Sequence, residues 1–445
     1  MTSPESTRSL SLFDATMLVM GGIIGVGIFF KPSNVAQFVP STGPYFAMWV
    51  IGAVAALAGA MTFAELAGTF PHTGGWYVFL REGFGRFPAF LFAWIVLLVI
   101  STGACATVAD FCAQKIGELV WSAQDEPGWA RGAIGTALVA GVTGLGLTGI
   151  KSAALFQNLC MLAKLLAIGT FIFAGLALFG DAPAPAAAAE RTSSTAAGMI
   201  RATLPVLFTY GGWQLVTYIG PHVKDAPRNL PRAIVLGVAG VGVVYLLLNA
   251  AYVRVLGIDG VATLEDVPAT LAQRTLGDAG TTFLTVAMAV SALGFIVATL
   301  IATPGIYVAM AREGLFLAAV GRTSPRTGAP TVALSIQGAL TIGYLLVSTD
   351  LAGDLADSVV FVEWIFHFLV AAALLRVRRT RPDIARPWRS FAYPLFPVLY
   401  LCIAAGVVIG NLFQSKPSVT LLGLGVLAVG ALVYLPWSRL SARAQ

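Results

Sequence analysis

The residues best placed to do chemistry in this sequence are glycines inside an apolar segment. Residues 21–27 contain four glycines and lie within an apolar run from Leu10 to Phe30, long enough to cross a bilayer as a helix of about 20 residues. Each glycine costs a helix interior about 1 kcal/mol relative to alanine, so we expect the helix to break here. The N–H groups that begin the next half-helix can bind a carboxylate, and the released carbonyl oxygens can accept from an ammonium group. Glycines of this kind also serve close helix packing.

A second segment repeats this pattern in the other half of the chain. Residues 204–214 carry Pro205 and the pair Gly211-Gly212 inside the sixth predicted span, five spans after the first break. Consecutive spans alternate in direction. Because the sixth span lies an odd number of spans after the first, the two interrupted helices cross the membrane in opposite directions. Interrupted helices at matching places in two halves are typical of transporters built from inverted repeats, and such paired breaks suit a small zwitterion.

The composition indicates a polytopic membrane protein. Of 445 residues, 57% are hydrophobic and 11% are charged, whereas about a quarter of a soluble domain is charged. The sequence contains no Walker lysine motif, nucleophile elbow or HExxH motif, and its three histidines have no metal-ligand spacing. We therefore expect no enzymatic activity, no cofactor, no metal site and no nucleic-acid partner.

Hydropathy and turn residues predict twelve transmembrane helices. The expected spans are 10–38, 42–68, 87–120, 131–149, 152–180, 199–222, 231–256, 279–311, 330–348, 353–375, 391–411 and 418–437. They group into a first repeat at 10–180, an external linker at 181–198, a second repeat at 199–376 and two further spans within 377–437. The terminal segments are 1–9 and 438–445.

Basic residues predict the orientation. If the N-terminus is cytoplasmic, 18 of the 27 Lys and Arg residues lie on the inner side. Positive charge is enriched in cytoplasmic loops, so both termini are expected in the cytoplasm of a multi-pass protein surrounded by the lipid of the cell membrane. The arginine run from Arg376 to Arg381 is interpreted here only as a determinant of topology.

Four motifs resemble those of a known family. They are the glycine-rich run Gly22–Phe29, Phe63-Ala-Glu-Leu66, Phe208–Trp213 followed by Pro227-Arg-Asn-Leu-Pro231, and Arg312-Glu-Gly314. In order and spacing they resemble the amino acid–polyamine–organocation superfamily, closest to the L-type amino acid transporter family and its bacterial relatives. The resemblance implies an all-α membrane protein with a LeuT-like five-plus-five inverted repeat, discontinuous helices 1 and 6, and transport of amino acids.

The resemblance also implies a substrate site. The cargo carboxylate would meet the N–H groups of Val26 and Gly27, where the family often has a small hydroxyl residue in place of Val26. Phe208 would form an aromatic lid, and Gln214 would touch the cargo side chain. The whole expected set is Ile23, Ile24, Gly25, Val26, Gly27, Phe208, Thr209, Gly211, Gly212, Trp213 and Gln214, with the cargo ammonium on the carbonyls of Ile23, Phe208 and Gly211.

Two charged residues lie deep in predicted spans. Lys164 is thirteen residues from Lys151, about 20 Å along a helix, and an intramembrane charge is a functional candidate by default. By resemblance, Lys164 in Ala163-Lys-Leu-Leu166 occupies the place where sodium-coupled relatives bind a cation. Glu363 is the second deep charge, and three roles stay open for it: a protonated acid, a partner of Lys164, or a contact of the substrate.

These features together predict a sodium-independent secondary transporter of neutral L-amino acids that works by alternating access. Proton-coupled symport and amino acid exchange are both open. A carrier of polyamines or cationic amino acids is the alternative within the same class, which acidic residues near the site would favour. A membrane nutrient sensor on the same fold is the alternative from another class.

Overall fold

The computed structural model describes residues 9–122, 125–178, 196–347, 349–414 and 417–443, in which the regular elements are helices joined by turns and loops, with no β-strand among these residues. The helices are α1 (Leu12–Ile23), α2 (Gly27–Phe38), α3 (Thr42–Thr69), α4 (Trp76–Phe84), α5 (Arg86–Ile95), α6 (Ser101–Val120), α7 (Ala130–Leu147), α8 (Ile150–Phe173), α9 (Ala196–Thr209), α10 (Ala226–Thr263), α11 (Val267–Ala302), α12 (Pro304–Arg312), α13 (Thr331–Leu346), α14 (Thr349–Thr380), α15 (Leu395–Gln414) and α16 (Pro417–Arg443). Two π-helical turns, Val96–Ile100 and Ala174–Leu178, and two 3-10 helices, Trp213–His222 and Ala318–Gly321, complete them.

Eight helical stretches in the described part of the chain are long and apolar enough to cross a membrane, or nine if the bent pair α1 and α2 is one span. The eight are Thr42–Thr69, Arg86–Val120, Ala130–Leu147, Ile150–Leu178, Ala226–Thr263, Val267–Arg312, Leu395–Leu412 and Thr420–Ser438. The count of twelve therefore stays a prediction. The predicted linker 181–198 and the N-terminal segment 1–9 lie almost wholly outside the described residues, whereas α16 continues through most of the predicted C-terminal segment 438–445.

Two helices extend beyond their predicted bounds because a glycine kinks them instead of ending them. The span expected at 231–256 is part of α10, which bends at Gly257 with a φ of 71°. The span expected at 279–311 begins earlier, at Val267, and bends at Gly277 with a φ of 64°. Glycine adopts this left-handed conformation without the steric cost of a side chain.

Helix α8 shows how one helix serves both lipid and core. Leu155, Leu159, Leu162 and Leu166 follow helical spacing along one face and are 43–73% exposed. Lys164 on the other face is only 1% exposed. An exposed apolar stripe opposite a buried charge is the arrangement expected of a helix that faces lipid on one side.

Glu65 of the Phe-Ala-Glu-Leu motif is fully buried and held by two arginines. Its oxygens accept from Nε of Arg378 at 2.6 Å, from Nη2 of Arg378 at 2.5 Å and from the backbone N–H of Ser390 at 2.7 Å. Nε of Arg386 lies 3.7 Å away. These contacts tie α3 to the end of α14 and the following loop. The interpretation of the arginine run as a topology determinant only was wrong, because Arg378 belongs to it.

Glu313 of the Arg-Glu-Gly motif holds the end of α12 against α4. Its carboxylate accepts from the Tyr77 hydroxyl at 2.8 Å and forms an ion pair with Arg81. Arg86 donates to its backbone carbonyl at 2.8 Å. The motif glutamates Glu65 and Glu313 thus join segments that are distant in sequence.

Glu65→Ala should lower the free energy of unfolding by about 3 kcal/mol, because it leaves two partly buried guanidinium groups without their carboxylate. Thermal unfolding of the purified protein in detergent measures this loss. Glu118→Ala is the matched control, since Glu118 forms an exposed pair with Lys115 and exposed pairs contribute little. Equal melting temperatures for the two variants would contradict the structural role of Glu65.

Candidate functional site

The first helix break occurs where the glycines predict it. Helix α1 ends at Ile23, residues 24–26 are not helical, and α2 begins at Gly27. The axes of α1 and α2 differ by 46°. Ile24 leaves helical geometry with a ψ of 78°.

The second break follows α9. Residues 210–212 separate the end of α9 at Thr209 from the 3-10 helix that begins at Trp213. Gly212 has a φ of 104°, a conformation that favours glycine. The continuation is a 3-10 helix and not the α-helix expected within 199–222.

The two breaks touch each other through glycines. A Cβ built on Gly22 would lie 2.6 Å from the carbonyl oxygen of Gly212, and a Cβ on Gly212 would collide with the carbonyl of Gly22. A Cβ on Gly27 would lie 3.6 Å from Cα of Thr209, an ordinary contact. The closest backbone approach is therefore made by Gly22 and Gly212, although the sequence drew attention to Gly25 and Gly27.

Side chains from three other helices satisfy the carbonyl groups of the first break. The hydroxyl of Tyr245 in α10 donates to Ile23 at 3.1 Å, and the hydroxyl of Ser291 in α11 donates to Gly25 at 3.1 Å. The ammonium group of Lys164 in α8 donates to the carbonyl of Ile24. Backbone that leaves a helix within a membrane survives only where such partners exist. Lys164 thus lies beside the first break.

Tyr245 links the two breaks, and sequence reasoning missed it. Its fully buried hydroxyl also lies 3.2 Å from the carbonyl oxygen of Thr209, at the end of α9. A phenol has one proton to donate and here faces two acceptors, so it holds both chain segments at a common point. Tyr245 lies in an apolar helix without a local motif, and no pattern in the sequence distinguishes it.

Donors for an anion lie at the start of α2. Val26 and Gly27 are half-buried, and no side chain in the described part of the protein caps this end of the helix. The first N–H groups of a helix have no partner within it and attract negative charge. The site therefore offers backbone donors at α2 and carbonyl acceptors at both breaks, which is the polarity that a zwitterion requires.

The remaining predicted residues divide between the site and the packing around it. Phe208 is 49% exposed, and the Lys31 ammonium lies 5.2 Å from its ring centroid. Its carbonyl accepts from Gly211 at 3.2 Å. Trp213 is buried with its ring edge-on to Phe63 at 4.7 Å, so its side chain belongs to the core.

Glu363 lies one side chain away from the second break. The Gln214 amide accepts from the N–H of Gly212 at 3.0 Å and donates to Oε1 of Glu363 at 3.0 Å. Nε2 of His367 is 4.0 Å from the same oxygen. Among the described residues Lys164 and Glu363 form no ion pair with each other, so the structure does not support the pairing considered from the sequence.

Gly212→Ala should destabilise the protein by about 2 kcal/mol or more, because its φ is unfavourable for alanine and its Cβ would meet backbone. Gly27→Ala is the matched control and should melt near the parental temperature, since its Cβ has room. Thermal unfolding of both purified variants checks the pair. Similar melting temperatures would show that the two breaks do not pack as described.

Comparison with known proteins identifies the family of the chain. The family model described as amino acid permease matches residues 10–430. The serine/threonine exchanger SteT of Bacillus subtilis is 29% identical over 398 residues, covering 88% of this chain and 88% of the relative. The mouse b(0,+)-type amino acid transporter 1 is 27% identical over 414 residues, with 92% and 84% coverage. The mouse large neutral amino acids transporter small subunit 2 is 27% identical over 449 residues, with 97% and 83% coverage. The chain belongs to the amino acid permease family, whose members are multi-pass membrane transporters and not enzymes.

Proposed function

We propose that this protein is a sodium-independent secondary transporter of neutral L-amino acids that works by alternating access around the paired breaks. The observation that carries the proposal is the meeting of the two breaks at Tyr245, with uncapped N–H groups on one side and carbonyls on the other. Relatives named as amino acid transporters and as a serine/threonine exchanger support an amino acid as cargo.

The proposed architecture is the inverted repeat expected from the sequence. Repeats at 10–180 and 199–376 would each contribute one broken helix, with two further spans within 377–437 and both termini in the cytoplasm of a cell-membrane protein. The presence of a break in α1–α2 and another after α9 supports this arrangement.

In the proposed complex the cargo lies between the breaks. The carboxylate accepts from the N–H groups of Val26 and Gly27, and the ammonium donates to the carbonyls of Ile23, Phe208 and Gly211. The Ile23 carbonyl already accepts from the Tyr245 hydroxyl and from the N–H of Gly25, so the cargo ammonium would replace one of these two donors. The Phe208 ring, which is half exposed beside the break, serves as the lid.

Lys164 takes the place of a coupling cation in this proposal. Its ammonium already donates to the Ile24 carbonyl. A sodium ion about 4 Å away would be repelled by about 4 kcal/mol at an effective dielectric constant of 20. That repulsion is enough to empty a weak sodium site.

A carrier of cationic amino acids or polyamines is the second candidate, and Glu363 favours it. Its carboxylate lies one side chain from the second break and would attract a positively charged cargo. Lys164 argues against a cationic cargo, because its ammonium group already places a positive charge at the first break.

Tyr245→Phe should raise the KM for transport about fivefold, because it removes the donor shared by two carbonyls while keeping the ring. Initial rates in proteoliposomes measure the change. Tyr252→Phe on the same helix is the matched control, since it also alters a buried tyrosine but at a position away from both breaks. A KM that stays parental in Tyr245→Phe would argue against the proposed site.

Replacing sodium by choline should leave the transport rate in proteoliposomes unchanged, because Lys164 supplies the positive charge. A clear requirement for sodium would overturn the role given to Lys164. The same vesicles separate the two mechanisms: an inward proton gradient accumulates substrate in a symporter, whereas internal amino acid accelerates uptake in an exchanger.

A further inference from the structure

Glu363 has one oxygen held by protein and a side chain that solvent can reach. It lies within α14, yet its side chain is 24% exposed, compared with 6% for His367 one turn later. In the described part of the chain, both contacts of the carboxylate end on Oε1. The side chain is thus only partly buried, with Oε2 not engaged by these contacts.

A chain of hydrogen bonds fixes the carboxylate from the second break. The backbone N–H of Gly212 can only donate, so the Gln214 atom that faces it is the carbonyl oxygen Oε1. The amide nitrogen is then the atom that faces Glu363. Gln214 therefore bridges the backbone of the second break and the carboxylate, and it serves as a positioning residue for Glu363.

Aromatic residues surround His367, whose Nε2 lies 4.0 Å from the carboxylate. The His367 ring lies 4.6 Å from Trp76 and 4.8 Å from Trp364, and its Nδ1 is 2.6 Å from the Tyr400 hydroxyl. Tyr218 and Tyr400 are further titratable groups near Glu363 among the described residues. Covering the carboxylate with an apolar group would leave a hydrogen-bond acceptor without a partner, at a high cost in free energy.

We propose that Glu363 selects cargo whose side chain carries a hydrogen-bond donor, either a hydroxyl or an ammonium group. The inference rests on the proposed function and deepens it by naming a substrate class. A site that pairs with a donor on its substrate rejects the analogue that lacks the donor much more strongly than an apolar pocket discriminates by size. Glu363 is the specificity residue, and Gln214 orients it.

The test compares cargo pairs of nearly equal shape. Thermal stabilisation of the purified full chain measures binding of L-threonine against L-valine, which isolates a hydroxyl, and of L-lysine against L-norleucine, which isolates an ammonium group. The proteins are the parent, Glu363→Gln, Glu363→Leu and Gln214→Leu. Glu118→Gln is the matched control, because Glu118 lies in an exposed pair with Lys115.

The parent and Glu118→Gln should bind the donor-bearing member of at least one pair about ten- to a hundredfold more tightly than its apolar partner. A preference confined to threonine identifies a hydroxyl cargo, and one confined to lysine identifies a cationic cargo. Glu363→Leu should abolish the preference and Glu363→Gln should reduce it. Gln214→Leu should lower the same ratio, because the amide no longer orients the carboxylate, whereas a general loss of structure would weaken the binding of both partners without changing their ratio.

The inference is overturned if the parent binds valine and norleucine as tightly as threonine and lysine, or if the preference persists in both Glu363 variants. Should Glu363→Leu fail to fold, the reduced ratio in Glu363→Gln still decides the matter. Absence of stabilisation by every amino acid in the parent would reject the proposed function as well, so the two failures are distinguishable.

Discussion

Lipid offers no hydrogen bonds to backbone that leaves a helix, and the centre of this protein is organised around that constraint. Three carbonyls at the first break accept from Tyr245, Lys164 and Ser291, which come from α10, α8 and α11. The shape of the break therefore depends on how these three helices pack around it. A movement of any of them changes the positions of the donors, which gives a physical route from helix rearrangement to the geometry of a binding site.

The two deep charges meet this environment in different ways. Lys164 is almost completely buried, and its ammonium group donates a hydrogen bond to the carbonyl of Ile24. Glu363 has a side chain that is 24% exposed, with both described contacts on one oxygen. A buried charge that binds the backbone helps to hold the break in place, whereas one with an accessible oxygen can interact with what enters the protein.

The motif glutamates act at the ends of the helices and not at the breaks. Glu65 joins α3 to the end of α14 through Arg378, and Glu313 joins α12 to α4 through Arg81 and Tyr77. These contacts hold together segments that lie far apart in sequence. They give a structural reason for two of the motifs on which the family resemblance was first based.

The sequence by itself determined the features that depend on local chemistry. Glycine and proline weaken a helix wherever they occur, so both breaks could be predicted, and the spacing from Lys151 placed Lys164 at depth. Glycine alone did not distinguish a kink from a helix end, which is why α10 and α11 exceed their predicted bounds. Three contacts were decided only by the tertiary structure. The hydroxyl of Tyr245 lies at both breaks, and Gly22 packs against Gly212. Glu363 accepts from Gln214 and does not pair with Lys164 among the described residues. Each of these contacts joins residues of different helices, and their partners depend on how the helices pack, which no local pattern encodes.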